Sequence, residues 1–166
     1  MNRQIVLRSR PEQLPGREHF QFVSSEIPKP GPGEVLVKVR YVALSPWQGQ
    51  RLKDFKNFTR PLAIGELIDC DVLAEVIESR SDELQTGHLV TARLGWQEFA
   101  VAQASSLTLV NATDEMDSLL WLTALSSPGL TAYCAMDLFG RPLPGQTMVV
   151  TSAAGSVGSY SGQLGK

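Results

Sequence analysis

Apolar residues in the first hundred positions recur in short runs that glycine and proline interrupt. Residues 4–8 carry Ile5-Val6-Leu7, and residues 20–23 carry Phe20, Phe22 and Val23. Pro28, Pro30 and Pro32 with Gly31 and Gly33 then exclude helix and ladder alike, so a loop is expected. Across residues 34–44, Val35, Val37, Val39 and Tyr41 alternate with Leu36, Lys38 and Arg40. That is the period of a half-buried strand. Residues 45–59 hold Trp47, Phe55 and Phe58 among polar neighbours with no clean period, which reads as loop plus short helix. A turn is expected at 61–65 and a long strand at 67–77, broken at Asp69-Cys70-Asp71. Residues 87–94 and 96–102 read as a hairpin around Gly95. Six or so short strands so punctuated predict a small barrel or sandwich.

Beyond residue 110 the period lengthens. Asp114 is placed to cap a helix through Met116, Leu119, Leu120 and Leu122. Ser127-Pro128-Gly129 reads as an interruption, followed by a helix over 130–139 that Gly140 closes. Pro142, Pro144 and Gly145 predict a turn, 146–151 a strand, 153–158 a small-residue turn and 159–166 the start of a helix.

Composition narrows the classes. The 166 residues amount to one domain, or one domain and part of another. Hydrophobic residues make up 43% and charged residues 19%, enough for a core and too apolar for disorder. Fifteen basic against seventeen acidic residues leave a net charge of −2, so neither a nucleic-acid partner nor a polybasic membrane anchor is expected. No apolar run approaches the roughly 18 residues of a membrane span, and residues 1–7 do not read as a signal peptide. Cys70 and Cys134 are the only cysteines, which excludes a disulfide scaffold and a Cys-rich zinc site. A reducing cytoplasm is the expected compartment.

The stretch with chemical content is Met148-Val149-Val150-Thr151-Ser152-Ala153-Ala154-Gly155-Ser156-Val157-Gly158. Its spacing, Ala153-x-Gly155-x-x-Gly158, is a variant of the dinucleotide fingerprint with alanine first. A small residue permits the sharp turn, Gly155 the approach of a pyrophosphate and Gly158 close helix packing; the amides at the helix start then bind phosphate. Gly162, four residues on, is expected to pack on the same face. A tight turn without a ligand is the alternative. NAD and NADP are not distinguished by this spacing.

Two rival motifs overlap the stretch. Ala154-Gly155-Ser156-Val157-Gly158 is a variant nucleophile elbow with Ser156 as nucleophile, but His19 and His88 both precede it and the upstream hundred residues are mostly β. Residues 160–166 end like a phosphate loop but carry Tyr160 where glycine is required. His19 reads as solvated and His88 as structural. No metal-ligand spacing is present, and Asp69-Cys70-Asp71 reads as a strand irregularity.

Four segments resemble the N-terminal half of medium-chain dehydrogenases/reductases, closest to the zinc-independent branch of leukotriene B4 dehydrogenase/prostaglandin reductase and the NADP-dependent alkenal reductases. They are Arg8-Ser9-Arg10-Pro11 with Gly16 and His19-Phe20; residues 30–39, beginning Pro30-Gly31-Pro32-Gly33; Pro128-Gly129-Leu130-Thr131-Ala132-Tyr133; and Thr151-Ser152-Ala153-Ala154-Gly155-Ser156-Val157-Gly158-Ser159. The resemblance implies a mainly β GroES-like barrel over residues 1–126, incomplete, then the truncated start of an α/β Rossmann domain over 127–166. It places Ala154, Gly155, Ser156, Val157 and Gly158 on the cofactor pyrophosphate and Thr131 near the nicotinamide. Ser45, Pro46 and Trp47 fall in the substrate and nicotinamide pocket, where Trp47, Gln48 and Gly49 depart from the branch's Asp-Pro-Tyr-Met-Arg-like pattern. Zinc-dependent relatives carry a cysteine in that loop and a Gly-His-Glu beyond it; here stand Ser45 and Gly65-Glu66, so no metal is expected.

The activity so implied is NADPH-dependent reduction of the activated C=C bond of enals and enones, with NAD not excluded and a homodimeric parent. Quinone reduction on the same fold and a non-catalytic GroES-like binding module remain open. One βα unit is less than a dinucleotide-binding half needs. The chain is therefore expected to be a piece of a longer enzyme, inactive alone, with apolar surface over 146–166.

Overall fold

The short apolar runs of the first hundred residues become antiparallel strands: β1 (Asn2–Leu7), β2 (Phe20–Ser25), β3 (Glu34–Val42), β4 (Asp71–Ser79), β5 (Leu89–Arg93), β6 (Phe99–Gln103) and the two-residue β7 (Thr108–Leu109). The computed structural model describes residues 1–55, 59–112 and 114–166, so Phe58 lies outside the described residues. The chain divides into two compact units, Met1–Asn111 and Ala112–Lys166.

In the first unit, β1 pairs with β2, and the other five strands form one sheet in the order β6-β3-β4-β5-β7. The period-two pattern explains its core. Val35 and Val37 of β3, Val72, Ala74 and Val76 of β4, Val90 of β5 and Ala100 of β6 form one buried cluster. Burying each valine fully contributes about 1.5–3 kcal/mol. A second cluster joins Leu7, Leu52, Leu62 and Ile68, with Ile5, Phe20 and Trp96 packed against it. The β3–β4 register shifts between Leu36 and Val37 and again between Val39 and Tyr41, which are bulges that bend the pair.

The break expected at Asp69-Cys70-Asp71 is present. Before it, Val6 bridges Leu67 and Ile68 N–H donates to Ile5 C=O at 3.1 Å; after it, β4 pairs with β3 and β5. Asn2, 1% exposed, ties β1 to the larger sheet by mimicking a backbone unit. Its Nδ2 donates to Phe99 C=O at 2.9 Å, and its Oδ1 accepts from Phe99 N–H at 3.0 Å.

The hairpin expected around Gly95 is not formed. β5 lies against β4 and β6 against β3, so the two strands are not neighbours. Gly95, at φ 81°, instead turns the chain so that Leu94 N–H donates to Cys70 C=O and Trp96 N–H to Ile68 C=O. A Cβ there would stand 2.7 Å from the Leu67 side chain and 2.9 Å from Ile68 O. Backbone pairing with residues 68–70 takes the hydrogen bonds that a local hairpin would have used.

The second unit holds α2 (Glu115–Leu120), α3 (Ser127–Cys134) and α4 (Ser156–Leu164); a fourth short helix, α1 (Pro46–Arg51), belongs to the first unit. Asp114 caps α2 as expected, its side chain accepting from Asp117 N–H at 2.9 Å. Ser127-Pro128-Gly129 is not an interruption. Ser126 is the N-cap, and Pro128 sits in the first turn of α3, where its missing N–H costs nothing. The helix runs on as a π-helical stretch, Ala135–Gly140, and the left-handed residue that ends it is Arg141 (φ 42°), not Gly140. α3 packs against α4.

The strand expected over 146–151 pairs with nothing, and α4 begins at Ser156, ahead of the expected 159. A strand exists through its ladder, and among the described residues every ladder lies in the first unit. Val149 is 84% exposed, in line with the apolar surface expected there. Gly162, expected to permit close packing, faces open space. Among the described residues, no helix is long and apolar enough to cross a membrane.

Candidate functional site

Ser45, Pro46 and Trp47 come together at the start of α1. Ser45 is its extended N-cap, and Pro46 occupies the first helical position. Gln48 fixes the turn: its Oε1 accepts from Ser45 N–H at 2.7 Å, and its Nε2 donates to Ala43 C=O at 3.0 Å and Asp69 C=O at 3.3 Å. Ser45 and Pro46 are exposed and Trp47 is half-buried. Two guanidinium carbons lie over the indole, Arg51 Cζ at 4.9 Å and Arg93 Cζ at 4.3 Å from the ring centroid. Such contacts are attractive because the ring face is electron-rich.

Both arginines are held from the Asp69-Cys70-Asp71 segment. Arg51, only 8% exposed, is ion-paired to Asp69 and donates from Nε to Arg60 C=O at 2.8 Å. Arg93 Nε donates to Asp71 Oδ1 at 3.1 Å. Glu66 meets Arg60 at 2.5 Å and accepts from Ala63 N–H at 2.8 Å. The Arg60 hydrogen bond is the main cause that holds its carboxyl below the usual range. The sequence signal for this network was the acid–Cys–acid spacing, which gives no hint of its distant arginine partners.

Cys70, between the two aspartates, is 2% exposed. Burial, then the charges of Asp71 and Asp69, push its thiol up to about 12. That is the reverse of a nucleophile or metal ligand. The native chain should therefore consume one equivalent of a disulfide-exchange reagent at Cys134 and the second only after denaturant is added. Two rapidly reacting thiols in the folded chain would contradict this burial.

Ala154, Gly155, Ser156, Val157 and Gly158 come together at the start of α4. Gly155 is its N-cap, with N–H donated to Ser152 C=O at 2.9 Å. Ser152, absent from the fingerprint reading, carries the left-handed turn at φ 51°. A Cβ on Gly158 would stand 2.4 Å from Ser152 O and 2.9 Å from Ala153 Cα, and one on Gly155 3.3 Å from Ser152 O. The two glycines therefore let the turn close on the helix. Residues 154–157 are exposed, and the first amides of α4 have no acceptor within the helix. Thr131 sits on the exposed side of α3 with its hydroxyl donated to Ser127 C=O at 2.7 Å.

The rival chemistries find no support. Ser156 has no histidine in its own unit. His19 is not solvated: its side chain is 16% exposed and Nδ1 accepts from Gly16 N–H at 2.9 Å. His88 Nδ1 accepts from Gln85 N–H at 3.1 Å, a turn-forming contact. Residues 160–164 are helical, which no phosphate loop could be. The second unit also carries an open apolar groove of about 470 Å³ lined by Leu125, Leu130, Tyr133, Tyr160 and Leu164.

Known proteins are similar to this chain over nearly its whole length. A family described as the N-terminal domain of oxidoreductase matches residues 3–110. The chain is 39% identical over 163 residues to YfmJ of Bacillus subtilis (strain 168), covering 98% of this chain and 48% of that protein. It is 34% identical over 166 residues to the NADPH-dependent curcumin reductase of Escherichia coli (strain K12), covering 99% and 48%. The crystal structure of CurA in complex with NADPH from Vibrio vulnificus superposes with a TM-score of 0.90 at 35% identity, covering 98% of this chain and 48% of that one. The chain belongs to the medium-chain reductase family of oxidoreductases, through their N-terminal domain. It spans about half the length of the curated relatives it matches.

Proposed function

We propose that this chain is the N-terminal part of an NADPH-dependent, zinc-independent oxidoreductase that reduces activated C=C bonds of enals or enones. In this reading residues 1–126 belong to a GroES-like barrel domain and 127–166 open a Rossmann domain. The carrying observation is the turn from Ser152 to Gly158. Its two glycines let the backbone turn close tightly onto the exposed start of a nine-residue helix, whose first amides have no acceptor within it. That is the shape and polarity a pyrophosphate requires. Names and a bound cofactor among the relatives favour NADPH.

The amides at Ser156, Val157 and Gly158 would hold the phosphates, and Thr131 would lie toward the nicotinamide. A bound nicotinamide supplies a hydride. Ser45, Pro46 and Trp47 would bound the substrate pocket, excluding water from it and orienting the unsaturated carbonyl compound. Hydrogen-bond donors there would stabilise the negative charge that develops on the carbonyl oxygen. Ser45 and Gly65-Glu66 offer none of the Cys and His ligands of the zinc-dependent relatives.

The test is NADPH and NADH titration of a polypeptide of the relatives' full length that carries these residues, then a panel of enones against quinones. NADPH binding with enone turnover is expected. Turnover of quinones alone would move the reading to quinone reduction. No binding of either dinucleotide would leave a non-catalytic module.

A further inference from the structure

The acid–Cys–acid segment has no role in the reading above, yet it is connected at both ends to one indole. Asp69 pairs with Arg51 and Asp71 with Arg93, and both guanidinium groups lie over the Trp47 ring. The segment's backbone reaches α1, which carries Trp47, and the chain leading into it: Asp69 C=O accepts from Gln48 Nε2, and Asp71 C=O from Ala43 N–H. Asp69 Oδ1 is buried with no hydrogen-bond partner among the described residues. Leaving a carboxylate oxygen so costs stability that an apolar residue would not, so the packing there is not optimised for stability alone.

We propose that Asp69 and Asp71 are positioning residues for Trp47, acting through Arg51 and Arg93. Without Asp71, Arg93 loses the carboxylate that holds its guanidinium over the indole; without Asp69, Arg51 keeps only Arg60 C=O and, at 3.9 Å, Glu66, and its guanidinium is held less firmly there. The ring then samples other rotamers, and the pocket wall it forms loses its shape. A guanidinium already paired to a carboxylate gives up less hydration when it stacks on a ring, which favours the stacked geometry. The role in substrate binding rests on Trp47 lining the substrate pocket, as proposed above; the clamp itself does not.

Two measurements separate these. In the 166-residue chain labelled with 5-fluorotryptophan, Trp47→Phe assigns the fluorine resonance. Asp71→Asn and Asp69→Asn should each shift or broaden the Trp47 resonance and leave Trp96 and Trp121 in place, and Asp71→Glu should restore it. Asp71 and Arg93 are about half exposed, so Asp71→Asn and Arg93→Lys keep the test open should Asp69→Asn fail to fold. An unmoved Trp47 resonance in Asp71→Asn and Arg93→Lys overturns the clamp. In the full-length polypeptide, Asp71→Asn should raise KM for an enone about fivefold with kcat within about twofold. A fall in kcat with KM unchanged overturns the positioning role. If the wild-type polypeptide reduces no enone, the functional reading fails and the fluorine spectra still decide the clamp.

Discussion

Gly129→Ala is expected to unfold the second unit. The chain between α2 and α3 passes directly over the first turn of α3, so that a Cβ on Gly129 would stand 1.7 Å from Ala124 O and 2.5 Å from its carbonyl carbon. Both partners are backbone, and no side-chain rotation relieves the overlap. Either α3 moves away or the turn at residues 121–125 opens, and each breaks hydrogen bonds now made: Leu125 N–H to Leu120 C=O at 2.8 Å, and Leu130 N–H to Ser126 C=O at 3.0 Å. Overpacking of this kind costs about 3 kcal/mol, a large part of what so small a unit can possess. Urea titration followed by helical circular dichroism should show the helical transition moved to much lower urea or lost. Gly162→Ala is the control. It faces open space in the interior of α4 and should stabilise the helix by about 0.5–1 kcal/mol. A Gly129→Ala chain with the wild-type midpoint would sink the proposed crossing.

This glycine shows where the sequence was legible and where it was not. Pro128-Gly129-Leu130-Thr131-Ala132-Tyr133 stood out as a family-like segment, but its first two residues read as a helix break. Local propensity places proline and glycine outside helices; the first turn tolerates proline, and a crossing backbone demands glycine. The strands β1, β3 and β4 were legible for the opposite reason. The short apolar runs of β1 and β4 and the period-two pattern of β3 are local signals, and burial of Val35 and Val37 follows directly from the last. Pairing is not local. Residues 87–94 and 96–102 carried every mark of a hairpin, yet strand order is decided by which buried faces meet, and β3 and β4 outcompete the short-range partner.

The two candidate sites divide along the same line. The glycine turn is a contiguous motif, so its glycines could be read in advance, while the missing strand before it, the left-handed Ser152 and the helix start at Ser156 could not. The arginines over Trp47 come from Arg51 and Arg93, far apart in sequence, and their carboxylates from a segment that reads only as an irregular strand. No spacing rule links those four residues. Asp69 and Asp71 sit on either side of a buried cysteine because the chain there passes from pairing with β1 to pairing with β3 and β5.

Gly158→Ala is expected to abolish tight dinucleotide binding without unfolding the chain. The added methyl would meet Ser152 O at 2.4 Å and Ala153 Cα at 2.9 Å, forcing the turn off the helix start. The amides of Ser156, Val157 and Gly158 keep their number but lose their common focus, and phosphate binding depends on that focus. A clash costing about 1.5–3 kcal/mol in the bound geometry weakens NADPH affinity about ten- to a hundredfold. Gly155→Ala, with its nearest contact at 3.3 Å, should weaken it less, and Gly162→Ala, with nothing nearby, should leave it unchanged. The order Gly158, Gly155, Gly162 is thus a geometric series measured on one helix. It is read by fluorescence titration of NADPH against the full-length polypeptide, after circular dichroism has shown each variant folded. If the wild-type polypeptide binds NADPH and folded Gly158→Ala binds it equally well, the pyrophosphate is not held at this turn.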